Sequence, residues 1–250
     1  MIYKLFSGLL LTVIILATTS PSLAAEIRVA VASNFSETLA IVAKNFERDT
    51  GHRVKLIVGS TGKHYAQIKH GAPFDAFFAA DIKRPAQLEK EHLSVMGSRF
   101  TYAIGKLVLW SPMANYIDNE INILKQNRFR HLAIANPRLA PYGVAAQQVL
   151  ESYDLWDSLK HKTVRGENIG QAFQFVSSGN AELGFIAYSQ IKRPGHMITG
   201  SWWLIPETLY TPIAQQAVLL KDKAVAHQFM SYVKGDKSLA IIHSFGYGTP

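Results

Sequence analysis

The strongest constraint on the fold is a pair of polar turns, each placed between an apolar strand-like run and a helix-like run. The first turn lies in residues 32–37, with the sequence ASNFSE, and the second opens residues 59–68, GSTGKHYAQI. Backbone N–H groups in the first turn of a helix have no intrahelical partner and carry the positive end of the helix dipole. An oxyanion placed there is bound without a cationic side chain, so both turns are candidate anion sites.

The chain repeats this order of strand, polar turn and helix along its length. Apolar runs predict strands at residues 27–32, 54–58, 74–79, 131–135 and 183–187. Helix-period patterns predict helices at residues 35–50, 64–69, 85–92, 144–153, 168–176, 224–233 and 237–245. Strands that alternate with helices predict an α/β protein with parallel, doubly wound sheets, in which ligands bind at the carboxyl ends of the strands.

Local signals also predict how some of these elements begin. Asn34 and Glu37 have the N-x-x-E spacing of a capping box ahead of the first helix. Ser33, Ser60 and Thr61 have the residue type of N-caps, so capping alone explains any one of them. Their shared placement after strands favours a joint role in binding.

Two long segments predict a chain that crosses between two lobes. Residues 102–110, YAIGKLVLW, form a strand-like run that is broken by Gly105, and residues 211–220, TPIAQQAVLL, form a second. We take the first as the outward crossing and the second as the return. The expected lobes are residues 25–103 plus 215–250 for lobe 1 and residues 104–214 for lobe 2, with the two crossings as the hinge.

The N-terminal segment predicts export. Lys4 is followed by an apolar run at residues 9–17 and by a small-residue site that ends at Ala24. This arrangement is typical of a secretory signal peptide, and the run is shorter than the ~20 residues that a membrane-spanning helix needs. Cleavage of residues 1–24 leaves 226 of the 250 residues. Without a lipobox cysteine, the expected mature form is a free periplasmic protein.

Composition excludes several classes of site. The chain has no cysteine, so disulfides, thiolate catalysis and cysteine-bound metals are excluded. Its formal net charge is +8, but the basic residues are scattered, which argues against nucleic acid as a partner. The glycines around Lys63 lack the spacing of a phosphate-binding loop, and the nine histidines show no metal-ligand spacing. No cofactor, metal cation or enzymatic activity is therefore expected.

Several blocks of sequence resemble a known family over essentially the whole mature chain. They are ASN after the first strand, GSTGKHYAQI with GAPFDAFFAADIKRP, ANPRLAPYGVAAQQVL, ENIGQAFQFV and the closing FGYG. Together they resemble the molybdate-binding periplasmic proteins of ABC transporters. The resemblance implies a type II periplasmic binding fold whose two lobes, each a mostly parallel sheet flanked by helices, enclose molybdate or tungstate. It also implies delivery to a membrane permease, and we expect a monomer.

The same resemblance implies a set of ligand-binding residues. Matching motifs place them at Ser33 with Asn34, at Ser60 or Thr61, at Tyr142 and at the main chain of Ile169. Some relatives have a tyrosine directly after the strand that matches residues 183–187. Here that position is Ala187, and Tyr188 follows it. An offset of one residue at a strand end directs the side chain to the opposite face, so Tyr142 is the stronger candidate for a phenol ligand and Tyr188 the weaker.

The chemistry of the clusters narrows the ligand but leaves alternatives. Neither turn needs an acid as a hydrogen-bond acceptor, which disfavours a partly protonated anion such as phosphate. Sulfate is also a dianion, and only cavity size separates it from molybdate. A sulfate-binding protein, a sensor lobe that reports ligand occupancy to a membrane partner, and a hydrolase of a small anionic substrate remain as alternatives at this stage.

Overall fold

The computed structural model describes residues 24–118 and 120–249. The expected signal peptide, residues 1–24, lies outside the described residues except for Ala24, so it stays a prediction. Among the helices of the described ranges, none combines the length and the apolar character that crossing a bilayer requires.

In the part of the chain that the structure describes, ten strands form two separate sheets of five strands each. In chain order the strands are β1 (Glu26–Ala32), β2 (Arg53–Gly59), β3 (Ala76–Ala79), β4 (Phe100–Gly105), β5 (Leu107–Ser111), β6 (Leu132–Ala135), β7 (Thr163–Gly166), β8 (Leu183–Ala187), β9 (Ser201–Leu204) and β10 (Ile213–Leu219). The helices are α1 (Ser36–Thr50), α2 (Thr61–Lys69), α3 (Lys83–Lys90), α4 (Asn122–Gln126), α5 (Pro141–Ser152), α6 (Trp156–Leu159), α7 (Ile169–Ser177), α8 (Tyr188–Ile191), α9 (Ala224–Lys234) and α10 (Asp236–Ser244).

The two sheets have the same topology. The first has the order β2-β1-β3-β10-β4 and the second β7-β6-β8-β5-β9. In each, the first three strands run parallel and the fourth is antiparallel to both of its neighbours. Helices flank both sheets, as expected for parallel strands joined by crossover connections. The predicted two-lobed α/β architecture is therefore confirmed.

Side-chain alternation along β1 explains why the first sheet is covered on both faces. Ile27, Val29 and Val31 pack into one apolar cluster with α1, α9 and α10. Ala30 points to the opposite face and packs with Ile68 of α2. Strands that are buried on both faces need apolar residues at every position, which is why these strands read as continuous apolar runs.

The passage between the sheets is short. β4 ends at Gly105 in the first sheet and β5 begins at Leu107 in the second, so only Lys106 separates them. The predicted single run at residues 102–110 is therefore two strands. On the return, β9 ends at Leu204 and β10 lies wholly in the first sheet.

Some predicted element boundaries were wrong. β7 and β9 were not predicted, because each has only four residues and mixed polarity. Helix α2 begins at Thr61 rather than at residue 64, since Ser60 caps it, and α5 begins at Pro141 rather than at residue 144. Proline is favourable at the first helical position because its missing N–H has no partner to lose there.

The capping box predicted for Asn34 and Glu37 was also wrong. Helix α1 begins at Ser36, and within the described residues no side chain caps it. The Asn34 side chain instead donates to the Gln215 side chain at 2.7 Å. The Asn34 side chain, which the local spacing predicts as a helix cap, thus bonds a residue 181 positions away instead.

Candidate functional site

Four helix starts from two sheets meet in the space between the lobes. In lobe 1, Ser33 follows β1 and Ser60 follows β2, ahead of α1 and α2. In lobe 2, α5 follows β6 and α7 follows β7. Because parallel strands end at the same edge of a sheet, the polar turns of each lobe face the other lobe. The expected convergence at the carboxyl ends of the strands is found here.

These turns line a small, partly open cavity between the lobes, with about 180 Å³ of space free of protein atoms, part of which is open to solvent. It is lined by Ala32, Ser33, Asn34, Gly59, Ser60, Thr61, Ala80, Ala140, Pro141, Tyr142, Asn168 and Ile169. The centre of a water-sized sphere can occupy only about 10 Å³ of it. Pockets for organic, drug-sized ligands typically span about 300–1,000 Å³, so this cavity suits an ion of a few atoms better. Of the described residues that line it, none is acidic or basic.

The serine and threonine hydroxyls of the cavity each accept a hydrogen bond from a backbone N–H. Ser33 Oγ accepts from Gly170 at 3.1 Å, Ser60 Oγ from Lys63 at 3.3 Å, and Thr61 Oγ1 from Ala80 at 3.0 Å. Within the described ranges, none of these three hydroxyls donates to a protein acceptor. A hydroxyl whose oxygen already accepts an N–H retains its own proton for donation. These side chains are therefore equipped to bind an acceptor such as an oxyanion.

The cavity also contains unpaired main-chain donors at the helix starts. In the described part of the chain, no backbone carbonyl accepts from the N–H groups of Asn34, Thr61, Tyr142 or Ile169. The side chain of Asn168 caps α7 by accepting from Gln171 at 3.1 Å, which leaves the Ile169 N–H uncapped. Free N–H groups and the positive ends of helix dipoles favour an anion at this point.

Tyr142 lines the cavity from lobe 2 and carries a further hydroxyl. Its side chain is buried, and its oxygen lies 3.4 Å from Nε2 of Gln215. Burial raises the pKa of Tyr142 well above the ordinary value for tyrosine. The phenol therefore stays protonated and neutral at physiological pH, which is the form that donates a hydrogen bond.

A buried network of amides and phenols lies behind the cavity. Asn34 Nδ2 donates to Oε1 of Gln215 and to the hydroxyl of Tyr247, and that hydroxyl donates to the Asn34 carbonyl at 2.7 Å. The Ser189 hydroxyl from lobe 2 donates to the same carbonyl at 3.1 Å. Tyr102 joins at Gln215 Oε1, at 3.0 Å. Of these residues, only Asn34 was predicted to belong to the site.

Two weak sequence signals could have pointed to the other members of this network. The pair Gln215 and Gln216 interrupts an otherwise apolar strand-like run. Tyr247 stands in the closing FGYG segment that carries part of the family resemblance. Neither signal identifies a partner.

Direct contacts join the two lobes around the cavity. The Gly62 N–H donates to the Leu139 carbonyl at 2.8 Å. A Cβ at Gly62 would lie 2.9 Å from that oxygen, so only glycine permits this approach of the backbones. Ion pairs join Lys63 to Glu167 at 2.8 Å and Arg193 to Glu37 at 3.1 Å. The side chains of both pairs are substantially exposed, so these pairs add little stability.

Tyr188 is placed differently from the other predicted site residues. It begins α8, and its ring lies against Gly246 and 5.9 Å from the ring of Trp202. It is not among the residues that line the cavity. The neighbouring Gln190 instead reaches the site's periphery, where it donates to the Ile169 carbonyl at 3.2 Å.

Comparison with known proteins identifies the family of this chain. The family described as bacterial extracellular solute-binding protein matches residues 27–248. The chain belongs to this family. The expectation of a solute-binding protein rather than an enzyme is thereby confirmed.

Individual relatives are similar over most of their length. The molybdate-binding protein ModA of Azotobacter vinelandii is 51% identical over 90% of this chain and 90% of that protein. ModA of Rhodobacter capsulatus is 42% identical over 94% of this chain and 93% of the relative. The solved structure of the Azotobacter vinelandii periplasmic molybdate-binding protein superposes with a TM-score of 0.87 and 46% identity, covering 90% of this chain and 99% of that one.

Proposed function

We propose that this protein captures molybdate outside the cytoplasm and delivers it to the membrane permease of an ABC transporter. The observation that carries the proposal is a small cavity between two lobes that presents hydrogen-bond donors, with no carboxylate among the described residues that line it. The similarity to two proteins named for molybdate binding supports the choice of ion.

The ligand's charge fits the donor set. Molybdate is a dianion whose four oxygens only accept hydrogen bonds. We assign as its ligands the hydroxyls of Ser33, Ser60, Thr61 and Tyr142, together with helix-start N–H groups that include those of Asn34 and Ile169. Hydrogen bonds to a charged group contribute about 1.5–3 kcal/mol each. Six or seven of them offset an association cost of about 4–15 kcal/mol and leave micromolar to nanomolar affinity.

Tungstate has the same charge and shape as molybdate, so we expect it to bind as well. Sulfate offers the same acceptors on a smaller ion. In a cavity that already joins both lobes, a smaller ion makes longer hydrogen bonds, which weaken as the distance grows. A protonated phosphate is disfavoured for another reason, since its proton favours a carboxylate acceptor, and the described residues that line the cavity include no acid.

Capture proceeds in our proposal by closure of the lobes. We assign residues 25–103 plus 215–250 to lobe 1 and residues 104–214 to lobe 2. Lys106, between β4 and β5, and the segment between β9 and β10 supply the hinge. Closure forms the contacts of Ser33 with Gly170 and of Gly62 with Leu139. We expect a periplasmic monomer whose closed form is recognised by the permease.

Isothermal titration of the mature, ligand-stripped protein tests this proposal. Molybdate and tungstate should bind tightly at 1:1, whereas sulfate and phosphate should bind weakly or not at all. Equal binding of sulfate would keep the site but reassign the ion. If none of the four ions bound, the helix starts would be structural caps only, and the proposed function would be wrong.

A further inference from the structure

Each hydroxyl that we assign as a ligand accepts a hydrogen bond, so one of its lone pairs is occupied and its own proton remains to be donated. For Ser33, Ser60 and Thr61 the partner is a backbone N–H, which no substitution of a side chain removes. For Tyr142 the partner is a side chain, Nε2 of Gln215, on strand β10 of the other lobe. The donor character of Tyr142 thus depends on the orientation of one amide.

Neighbouring groups determine that orientation step by step. The hydroxyl of Tyr247 donates to the Asn34 carbonyl at 2.7 Å, so its oxygen is left to accept from the Asn34 side chain. The atom of Asn34 that faces Tyr247 at 3.2 Å is therefore Nδ2. The same Nδ2 lies 2.7 Å from Gln215, which must present Oε1 there. Nε2 of Gln215 then faces the phenol of Tyr142.

Gly105 leaves space for the contact between Tyr142 and Gln215 because it has no side chain. A Cβ at Gly105 would lie 2.2 Å from the Tyr142 hydroxyl and 2.6 Å from Nε2 of Gln215. Gly105 ends β4, the strand that leads from the first sheet to the second, and it pairs with Ile213 of β10. The contact between Tyr142 and Gln215 is thus built into the passage between the lobes.

We propose that Gln215 is a positioning residue for the anion, because its amide holds the Tyr142 hydroxyl as a hydrogen-bond donor toward the cavity. This role rests on the proposed function. Without the amide, the phenol proton is free to rotate away and the oxygen can present a lone pair to the ligand. With the amide in place, Gln215 strengthens the binding of a fully deprotonated oxyanion and disfavours anions that carry a proton.

A double-mutant cycle separates this role from a general structural one. The variants are Gln215→Met, Tyr142→Phe and the combination, each titrated with molybdate. Because a hydrogen bond to a charged group is worth about 1.5–3 kcal/mol, Tyr142→Phe should weaken binding about 10- to 100-fold and Gln215→Met by a smaller factor of at least about 5. In the Tyr142→Phe background, Gln215→Met should have less than a 2-fold further effect. Equal losses in both backgrounds would overturn the proposal.

Gln216→Met is the matched control. Gln216 is the next residue of β10, and its side chain bonds Arg99 and Thr101 away from the cavity. Its affinity for molybdate should stay within 2-fold of the wild type. A loss as large as that of Gln215→Met would show that any disturbance of β10 weakens binding, and would contradict a specific role for Gln215.

Gln215→Glu provides a second variant of nearly the same shape, should the methionine variant fail to fold. It keeps an acceptor for Asn34 but replaces the amide that faces Tyr142 with an oxygen, so the phenol donates to residue 215 and turns a lone pair to the cavity. The ratio of molybdate to phosphate affinity should fall at least 10-fold. An unchanged ratio would overturn the role of Gln215 alone, whereas a wild type that binds no molybdate would overturn the proposed function and this role with it.

Discussion

The hydroxyl oxygen of Ser33 lies 3.1 Å from the backbone nitrogen of Gly170 and accepts a hydrogen bond from it. This bond joins the turn that precedes α1 in lobe 1 to helix α7 in lobe 2. One side chain thus contacts the opposite lobe and the cavity at once. Since the Ser33 oxygen accepts this N–H, its own proton remains to be donated to a ligand in the cavity. The Ser33 hydroxyl oxygen therefore belongs both to the contact between the lobes and to the proposed ligand site.

Ser33→Ala should weaken molybdate binding about 10- to 100-fold, since it removes a hydrogen bond to a charged ligand as well as the bond to Gly170. Titration calorimetry measures the loss. Ser158→Ala is the control, because Ser158 is exposed in lobe 2 and its hydroxyl bonds only Leu155. An affinity within 2-fold of the wild type for Ser33→Ala would remove Ser33 from the site.

Thr61 has both a structural and a proposed ligand role, which two substitutions can separate. Its Oγ1 accepts from the buried N–H of Ala80 at 3.0 Å. Thr61→Val keeps the shape but leaves that N–H unpaired, so it should lower the free energy of unfolding by about 1–3 kcal/mol and also weaken binding. Thr61→Ser retains the hydroxyl and should restore both. Thermal unfolding of the apo protein and titration with molybdate measure the two effects separately, and loss of stability without loss of affinity would leave Thr61 a structural residue only.

Gly62→Ala should weaken binding without affecting either lobe by itself. The added Cβ would lie 2.9 Å from the Leu139 carbonyl oxygen of the opposite lobe, so the lobes must separate slightly. A clash of this kind costs about 1–3 kcal/mol, which corresponds to about 5- to 150-fold in affinity. Small-angle scattering with saturating molybdate should show a less compact complex than the wild type.

Gly235→Ala is the control for this test, because its Cβ would meet only the Tyr232 carbonyl at 3.3 Å, within lobe 1. It should leave affinity and compactness unchanged. If Gly62→Ala behaved in the same way, the contact between Gly62 and Leu139 would not take part in closure.

The pH dependence of stability should report on Glu182, at the start of strand β8. Burial raises the pKa of this carboxylate, but donation from the N–H groups of His131 and Arg130 and from the Arg130 side chain outweighs burial and lowers the pKa to about 2. In the unfolded chain the pKa is about 4.3. A lowered folded-state pKa contributes stability that is present above pH ~4.3 and is lost as the pH falls to about 2.

Glu182→Gln should therefore lower the free energy of unfolding by about 1–2 kcal/mol at pH 7, with the difference from the wild type shrinking below pH ~4. Chemical denaturation at several pH values measures this. Glu151→Gln serves as the control, since Glu151 is exposed on α5 and bonds only Gln147. A Glu182→Gln effect that stayed constant down to pH 2 would contradict an ionised, hydrogen-bonded carboxylate.

The sequence predicted those parts of the site that local patterns encode. Ser60 and Asn168 follow strands and cap helices α2 and α7, and both facts can be inferred from residue type and periodicity within a few positions. Asn34 shows the limit of such inference. Its spacing to Glu37 is that of a capping box, yet its amide bonds Gln215 and Tyr247, which are 181 and 213 residues away.

Such long-range partners cannot be predicted from one chain, because only the folded topology brings Gln215 of β10 and Tyr247 of the C-terminal segment to Asn34, which follows β1. The same reason explains the crossing between the lobes. An apolar run at residues 102–110 fits one strand as well as two, and only the pairing of β4 with β10 and of β5 with β8 divides it at Lys106.

Three phenols near the cavity should make the protein sensitive to alkaline pH. Burial raises the pKa of Tyr102, Tyr142 and Tyr247 above the usual value of tyrosine. Each phenol ionises near pH 10 in the unfolded chain but stays protonated in the folded one. A raised folded-state pKa contributes stability that is fully present below pH ~10 and declines as the pH rises further, by about 1.4 kcal/mol per pH unit for each such group. Tyr102→Phe removes one of the three, so its free energy of unfolding should fall less steeply between pH 10 and 11 than that of the wild type, by about 1 kcal/mol, because half of the unfolded phenols are already ionised at pH 10. Denaturant titrations at the two pH values measure both slopes, and identical slopes would mean that Tyr102 ionises as readily in the folded protein as in the unfolded chain.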